Sequence, residues 1–325
     1  MKRTGKILII LGVAIIVVIV GLLAYAMFAL PNVGQPENIK VSMTPKNIER
    51  GKYLANSVCV CMDCHSKRDW AKFAGPLIVT TMGQGGEEFS QKFGFPGKYY
   101  AKNITPYGIR DWSDGEVLRA LSCGVSKNGS PLFPVMPYLD YGLLDRSDIY
   151  DIIAYIRTLS PIENNIQTSV SDFPMNFIIH TIPQKAIFST IPDKKKKVAY
   201  GEYLFIAASC ADCHTPQEKG KPIKGMDLAG GFKLPLVTGG TVVTANITPD
   251  VETGIGTWSE EAFVIRFKAY TDPNYIPMNI TRGMFNTYMP WTMFATMQTE
   301  DLKAIYAYLK TVKPVKNKII KFTSE

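Results

Sequence analysis

Histidine is scarce in this chain: three in 325 residues, at His65, His180 and His214. Cysteine is limited to six. Two short runs, Cys61-Met62-Asp63-Cys64-His65 and Cys210-Ala211-Asp212-Cys213-His214, hold four of the cysteines and two of the histidines. Cysteines separated by two residues also suit zinc, but a structural zinc site takes four ligands. With only His180 to spare, neither run finds the second Cys/His pair that zinc requires. The formal net charge is +8, yet no basic stripe is interleaved with aromatics, which argues against a nucleic-acid partner. The long apolar run near the N-terminus contains no charged residue.

What the two runs do contain is a specific chemistry. A C-x-x-C-H sequence is the form of c-type haem attachment. One helical turn brings residues three apart onto one face, so Cys61 with Cys64, and Cys210 with Cys213, can each bond the two vinyl groups of one haem. His65 and His214 then offer an imidazole to the iron as proximal ligand. Two covalently bound haem c groups are expected. Their propionates offset part of the positive charge. The remainder either helps dock an acidic redox partner or is a solvated lysine surface.

Lys2, Arg3 and Lys6 precede an apolar stretch from Ile7 to Leu30. About twenty apolar residues suffice to cross a bilayer as a helix. Ala24-Tyr25-Ala26 resembles a signal cleavage site, but the apolar run is longer than a usual signal core and continues past it. Residues 1–30 are therefore read as an uncleaved anchor in preference to a signal peptide. The basic flank stays inside, which places everything after Leu30 outside, the side on which haem c is attached. Residues 31–46, with Pro31, Pro36 and Pro45, read as a tether without regular structure that leaves orientation free.

An internal repeat covers most of the chain beyond the tether, with a spacing of about 150 residues, too long for a solenoid. Gly51-Lys52-Tyr53-Leu54 returns as Gly201-Glu202-Tyr203-Leu204, and Asn103-Ile104-Thr105-Pro106 as Asn246-Ile247-Thr248-Pro249. Trp112-Ser113 returns as Trp258-Ser259, and Met136-Pro137-Tyr138 as Met289-Pro290-Trp291. The repeat predicts two domains, 47–160 and 197–316, with a connector over 161–196 and a tail over 317–325. Each domain reads as all-helical. Helices are expected over 48–58 and 197–208 leading into the haem turns. A further helix over 113–121 opens with a Ser113–Glu116 capping box, and Ser259 caps its counterpart without the box. Last helices are expected over 146–159 and 299–312, each stopping before a proline. Lys194 to Lys197 read as a solvated face.

The sixth iron ligand decides between carrier and catalyst. Several methionines follow the second haem run, and the repeat chooses among them: Met136 and Met289 each precede a proline and then an aromatic. A residue before proline is pushed out of helical geometry, so its thioether can project from a loop. His65 with Met136, and His214 with Met289, are the expected axial pairs. His180 lies in the connector and reads as a surface or interface residue. Trp112 and Trp258 suit either a propionate contact or the core, and the Asn-Ile-Thr-Pro turns suit propionates or fixing the Met loop. A carbonyl near Gly75-Pro76, or near Leu234-Pro235, is expected to orient each proximal imidazole. Cys59 and Cys123 are left over, as a disulfide or as two thiols.

With these residues in view, the chain resembles the multihaem cytochrome c subunits of membrane-bound alcohol and sugar-acid dehydrogenases. The resemblance runs from about Asn47 to Lys316, through the Gly-x-Tyr-Leu helix, Cys210 to Pro216, Ala229-Gly230-Gly231, the Asn-Ile-Thr-Pro turn and the Met-Pro-aromatic loop. It departs in having two haem runs where three are common, Ser66 where the second copy has Thr215, and a glycine-rich segment from Met82 to Gly97 that looks inserted. The resemblance implies a mostly α fold, an N-terminal transmembrane helix followed by two tandem class I cytochrome c domains. It also implies a non-enzymatic carrier on the periplasmic side of a bacterial inner membrane. The donor would be a dehydrogenase or quinol-oxidising complex, the acceptor an oxidase or soluble cytochrome. A dihaem peroxidase-like enzyme is the rival reading, but it needs an open iron and distal acid–base groups, and no spare distal histidine exists.

Overall fold

A computed structural model describes residues 3–324; Lys2 of the basic flank and Glu325 of the tail lie outside the described residues. Helix α1 (Arg3–Ala29) is apolar from Ile7 onward, largely exposed there, and about 40 Å long at 1.5 Å per residue. Among the described residues it alone is long and apolar enough to cross a membrane. Residues 31–44 are extended, as the prolines imply, but they do not hang free. Val41 is buried, its N–H donates to Asp114 Oδ2 at 2.9 Å, and Glu37 pairs with Arg146 at 2.6 Å. The segment expected to leave orientation free is docked on the body, because Ile39 and Val41 find an apolar surface.

Helix α2 (Pro45–Tyr53) begins earlier than its periodicity suggests. Thr44 caps it and Pro45 takes the first helical position, where a missing N–H costs nothing. The chain continues as a π-helical turn over Leu54–Val58 and then enters α3 (Cys61–His65). Next come β1 (Glu88–Phe89), β2 (Gly97–Tyr100), α4 (Pro106–Ile109), α5 (Asp114–Cys123), α6 (Tyr138–Tyr141) and α7 (Arg146–Ile156). The connector carries β3 (Val170–Ser171) and α8 (Met175–Ile178).

The second half repeats the helix order of the first without counterparts of α4 and α8, and adds one two-stranded hairpin. It runs α9 (Lys197–Ala207), α10 (Cys210–His214), β4 (Gln217–Glu218), β5 (Lys221–Pro222), β6 (Lys233–Pro235), β7 (Thr241–Val243), α11 (Glu260–Lys268), α12 (Trp291–Phe294), α13 (Thr299–Leu309) and β8 (Phe322–Thr323). The all-helical expectation missed antiparallel sheets ordered β1-β2-β3 and β6-β7-β8. Strands of two to four residues leave no readable alternation, and their pairing is supplied by distant segments. Each third strand follows a last helix. Residues read as connector and tail thus complete the sheet of the half before them.

Two helix crossings organise the halves. A Cβ on Gly51 of α2 would lie 1.7 Å from Asp151 O of α7, and one on Gly201 of α9 would lie 1.8 Å from Ala304 O of α13. Only glycine permits that approach of backbones. Around the crossings one continuous apolar cluster joins both halves, from Leu54 and Ile153 to Leu204 and Leu302. Each fully buried leucine there is worth about 2 kcal/mol by area. The capping box forms as the sequence suggests, Ser113 Oγ accepting Glu116 N–H and Ser113 N–H donating to Glu116 Oε2, while Ser259 caps α11 alone. Lys194 to Lys197 are exposed.

Candidate functional site

The residue before each cysteine run turns the chain sharply. Val60 and Ser209 have left-handed backbones, with φ of 43° and 48°. A β-branched valine there is a genuine outlier. The same turn occurs at the same point in both halves, and it swings the following helical turn away from the preceding helix. On that turn Cys61, Cys64 and His65 lie together in α3, and Cys210, Cys213 and His214 in α10. Among the described residues no group of three or more His, Cys, Asp or Glu converges to hold a metal ion.

The imidazoles of the two runs are anchored alike. His65 Nδ1 lies 2.6 Å from Lys102 O, and His214 Nδ1 lies 2.7 Å from Ala245 O. A carbonyl only accepts, so Nδ1 carries the proton and Nε2 keeps its lone pair for iron. Burial lowers the pKa of both rings, which favours the neutral, ligating form. The residues present therefore fit a haem bound through two thioethers and one imidazole. Burial also pushes the Cys61 and Cys213 thiols up to about 12.

The orienting carbonyls are not those near Gly75-Pro76 or Leu234-Pro235. Gly75 O accepts from Arg68 Nε at 2.7 Å, and Pro235 O from Tyr288 Oη at 2.7 Å. Lys102 and Ala245 each precede the Asn of an Asn-Ile-Thr-Pro turn, so the repeat had marked the right place for another role. In these turns Asn103 Oδ1 accepts from Thr105 N and Oγ1, and Asn246 Oδ1 from Thr248 N and Oγ1. The amide nitrogens donate to Ile162 O and Val315 O, at 2.8 and 2.7 Å, just past the last helices. With their donors spent within the protein, on Ile162 O and Asn164 O for Asn103 and on Val315 O and Thr253 Oγ1 for Asn246, these asparagines brace the carbonyl that faces the histidine rather than reaching for propionates.

The opposite side of each turn is held by glycine. Gly85 N–H donates to His65 O at 2.9 Å and Gly230 N–H to His214 O at 2.8 Å. Both have positive φ, and a Cβ on either would collide with the backbone of the segment that carries the orienting carbonyl. Gly85-Gly86, in the segment that looked inserted, is thus the structural counterpart of Gly230-Gly231. Ser66 and Thr215 also match in role: their hydroxyls accept from Gly83 N–H and Leu228 N–H, each at 3.1 Å.

The two Met-Pro loops share one backbone geometry. Tyr138 N–H donates to Met136 O at 2.7 Å and Trp291 N–H to Met289 O at 2.8 Å, with Pro137 and Pro290 both at φ −79°. Each methionine is half-buried, and each loop runs into a short helix, α6 or α12. Tyr141 of α6 donates to Cys59 O at 3.1 Å, two residues before the first run. Trp112 and Trp258 pack against the core. Cys59 and Cys123 are free thiols, Cys59 buried with its pKa raised by burial. His180 Nδ1 sits 3.2 Å from Leu30 O at the end of α1, away from both runs in sequence.

The halves also reach into one another. Thr296 Oγ1 donates to Ser57 Oγ at 2.7 Å, joining the end of α12 to the π-helical turn. Asp140 of α6 neighbours Asp212 within the second run, and burial together with Asp140 pushes Asp212 up to about 7.

The cytochrome c family model matches residues 198–313. The chain is 26% identical over 285 residues to "Alcohol dehydrogenase (quinone), cytochrome c subunit" of Gluconacetobacter polyoxogenes, covering 82% of this chain and 56% of that one. It is 30% identical over 234 residues to "Gluconate 2-dehydrogenase cytochrome c subunit" of Pantoea cypripedii, covering 66% of this chain and 49% of that one. With "Diheme cytochrome c-type" of Cereibacter sphaeroides it shares 28% over 266 residues, 78% of this chain and 82% of that one. The chain thus spans about half the length of the two dehydrogenase subunits. Residues 198–313 are therefore a cytochrome c domain, in a chain related to the cytochrome c subunits of alcohol and gluconate dehydrogenases.

Proposed function

We propose that this chain is a dihaem electron carrier with two tandem class I cytochrome c domains, held to a bacterial inner membrane by residues 1–30 with both haems on the periplasmic side. The domains occupy 47–160 and 197–316, with strands β3 and β8 added from the connector and the tail. Cys61 with Cys64, and Cys210 with Cys213, attach one haem each. His65 and Met136, and His214 and Met289, are the axial pairs. The observation that carries this reading is the matched anchoring of His65 and His214, each with Nδ1 on a carbonyl just before an Asn-Ile-Thr-Pro turn.

A haem held in this way supplies a one-electron iron couple. The protein's part is to fix the imidazole tautomer, to present a thioether from a proline-bent loop, and to keep water from the haem edge. Ligands on both faces leave little to rearrange on reduction, which suits a relay and not a peroxidase. The donor is proposed to be a dehydrogenase or quinol-oxidising complex, the acceptor an oxidase or a soluble cytochrome. Deleting residues 1–30 should release a soluble protein with unchanged spectra.

The decisive test is the far-red band of the oxidised protein, where methionine-to-iron charge transfer absorbs, in wild type, Met136→Ala and Met289→Ala. Loss of about half the band in each variant supports two His/Met haems. A band abolished by one change and untouched by the other means one iron is ligated differently, and the enzyme class returns.

A further inference from the structure

The Met136 loop is held by its own half. Phe133 stacks on Tyr99 of β2 at 4.1 Å, Tyr138 Oη donates to Leu132 O at 3.1 Å, and Leu132 N–H donates to Gly124 O at 2.7 Å. The Met289 loop is held differently. Its approach segment lies against residues 68–76 of the first half, through Phe73 N–H to Met278 O and Ile280 N–H to Ala71 O, both at 2.8 Å.

Two side chains close this contact. Asn286 is fully buried; its Oδ1 accepts from Ala74 N–H and Thr287 N–H, each at 2.8 Å. Its Nδ2 donates to Lys72 O at 3.3 Å and Trp70 O at 3.4 Å. The next residue, Thr287, accepts from Met289 N–H at 3.1 Å. Arg68 is the second. Its guanidinium pairs with Asp63 inside the first haem run at 2.7 Å and donates to Ala74 O, Gly75 O and, at 3.4 Å, Tyr288 O. It also lies 4.2 Å over the Trp70 ring, which meets Tyr288 edge-on at 5.0 Å. A buried guanidinium persists only where its donors are satisfied in a fixed arrangement. Here that arrangement ends one residue before Met289.

We propose that residues 68–76 of the first half clamp the Met289 loop, with Arg68 and Asn286 as positioning residues for the second methionine ligand. The inference rests on the ligand assignment made above. It makes the coupling unequal: residues 68–76 of the first half reach the loop that leads into Met289, whereas among the described residues the second half meets the helix after Met136 instead, through α9 and through Ser209 and Asp212 beside Asp140.

The test uses the full-length holoprotein and the same far-red band. Arg68→Ala and Asn286→Ala should each lose about half of it while keeping two covalent haems per chain. In a Met289→Ala background either change should remove nothing further; in a Met136→Ala background it should remove what remains. Arg68→Lys should retain less than wild type but more than Arg68→Ala, since lysine keeps the charge without the fork. An undiminished band in both alanine variants, or a loss that falls on the Met136 haem, overturns the clamp. Should Arg68→Ala fail to fold, Asn286→Ala, which strands no charge, decides alone. A Met289→Ala protein with its full band would sink the ligand assignment itself, and the clamp with it.

Discussion

The Tyr53 hydroxyl of the first half donates to Asp301 Oδ2 of the second at 2.6 Å, and Tyr203 of the second donates to Asp148 Oδ2 of the first at the same distance. Each hydroxyl also accepts a backbone N–H at the start of the opposite last helix, from Gln298 and Asp145. Equivalent residues thus exchange equivalent bonds, so the halves are joined about a pseudo-twofold relation.

The two locks are unequal in their support. Asp148 also receives a bidentate Arg50, at 2.8 and 2.9 Å, whereas Asp301 Oδ1 has no hydrogen-bond partner among the described residues. Tyr53→Phe should cost about 2 kcal/mol, because it strands a buried carboxylate, and Tyr203→Phe about 1 kcal/mol. Denaturant unfolding of the holoproteins measures both, and equal losses would count against the asymmetry.

Burial first, then the carboxylate partners, raise the pKa of both phenols above the ordinary tyrosine value of 10.0. A raised folded pKa means that the fold favours the neutral phenol. That stability is fully present below 10.0 and is lost as pH rises above it. Between about pH 9 and about pH 11, wild type should lose stability faster than the Tyr53→Phe, Tyr203→Phe double variant. Parallel curves would show that other groups govern the alkaline loss.

At the helix crossings, Gly51→Ala or Gly201→Ala forces a methyl into a carbonyl of α7 or α13. Each should cost about 3 kcal/mol or more, since both clashing atoms are backbone. Thermal unfolding and the yield of haem-loaded protein report this. A cost below about 1 kcal/mol would mean the helices separate easily.

Asn246→Ala removes the brace behind Ala245 O. A weaker bond from His214 Nδ1 makes the imidazole a poorer donor to iron. The reduction potential of the second haem should therefore rise while that of the first stays put, as read by spectroelectrochemical titration. Asn103→Ala should do the reverse. A uniform shift of both would point to general loosening instead.

The sequence alone carried the two Cys-x-x-Cys-His runs, the duplicated motifs and the apolar N-terminal helix. These are written in fixed local spacings: a thiol pair on one turn, a motif repeated at about 150 residues, and an uninterrupted apolar run. The same locality explains the Ser113 capping box and the proline-bent methionine loops, which need only neighbours in the chain. The histidine-orienting carbonyls lie 37 and 31 residues away from their rings, and no local rule selects Lys102 or Ala245 from other backbone groups. Strands β3 and β8 are two residues long and acquire meaning only beside β2 and β7. Tyr53 and Tyr203 were visible as a repeated Gly-x-Tyr-Leu, but their partners stand 248 and 55 residues away, on the opposite half. The binding chemistry of each half is set by bonded neighbours. How the halves brace one another depends on which buried donors meet which acceptors, and only the tertiary structure decided that.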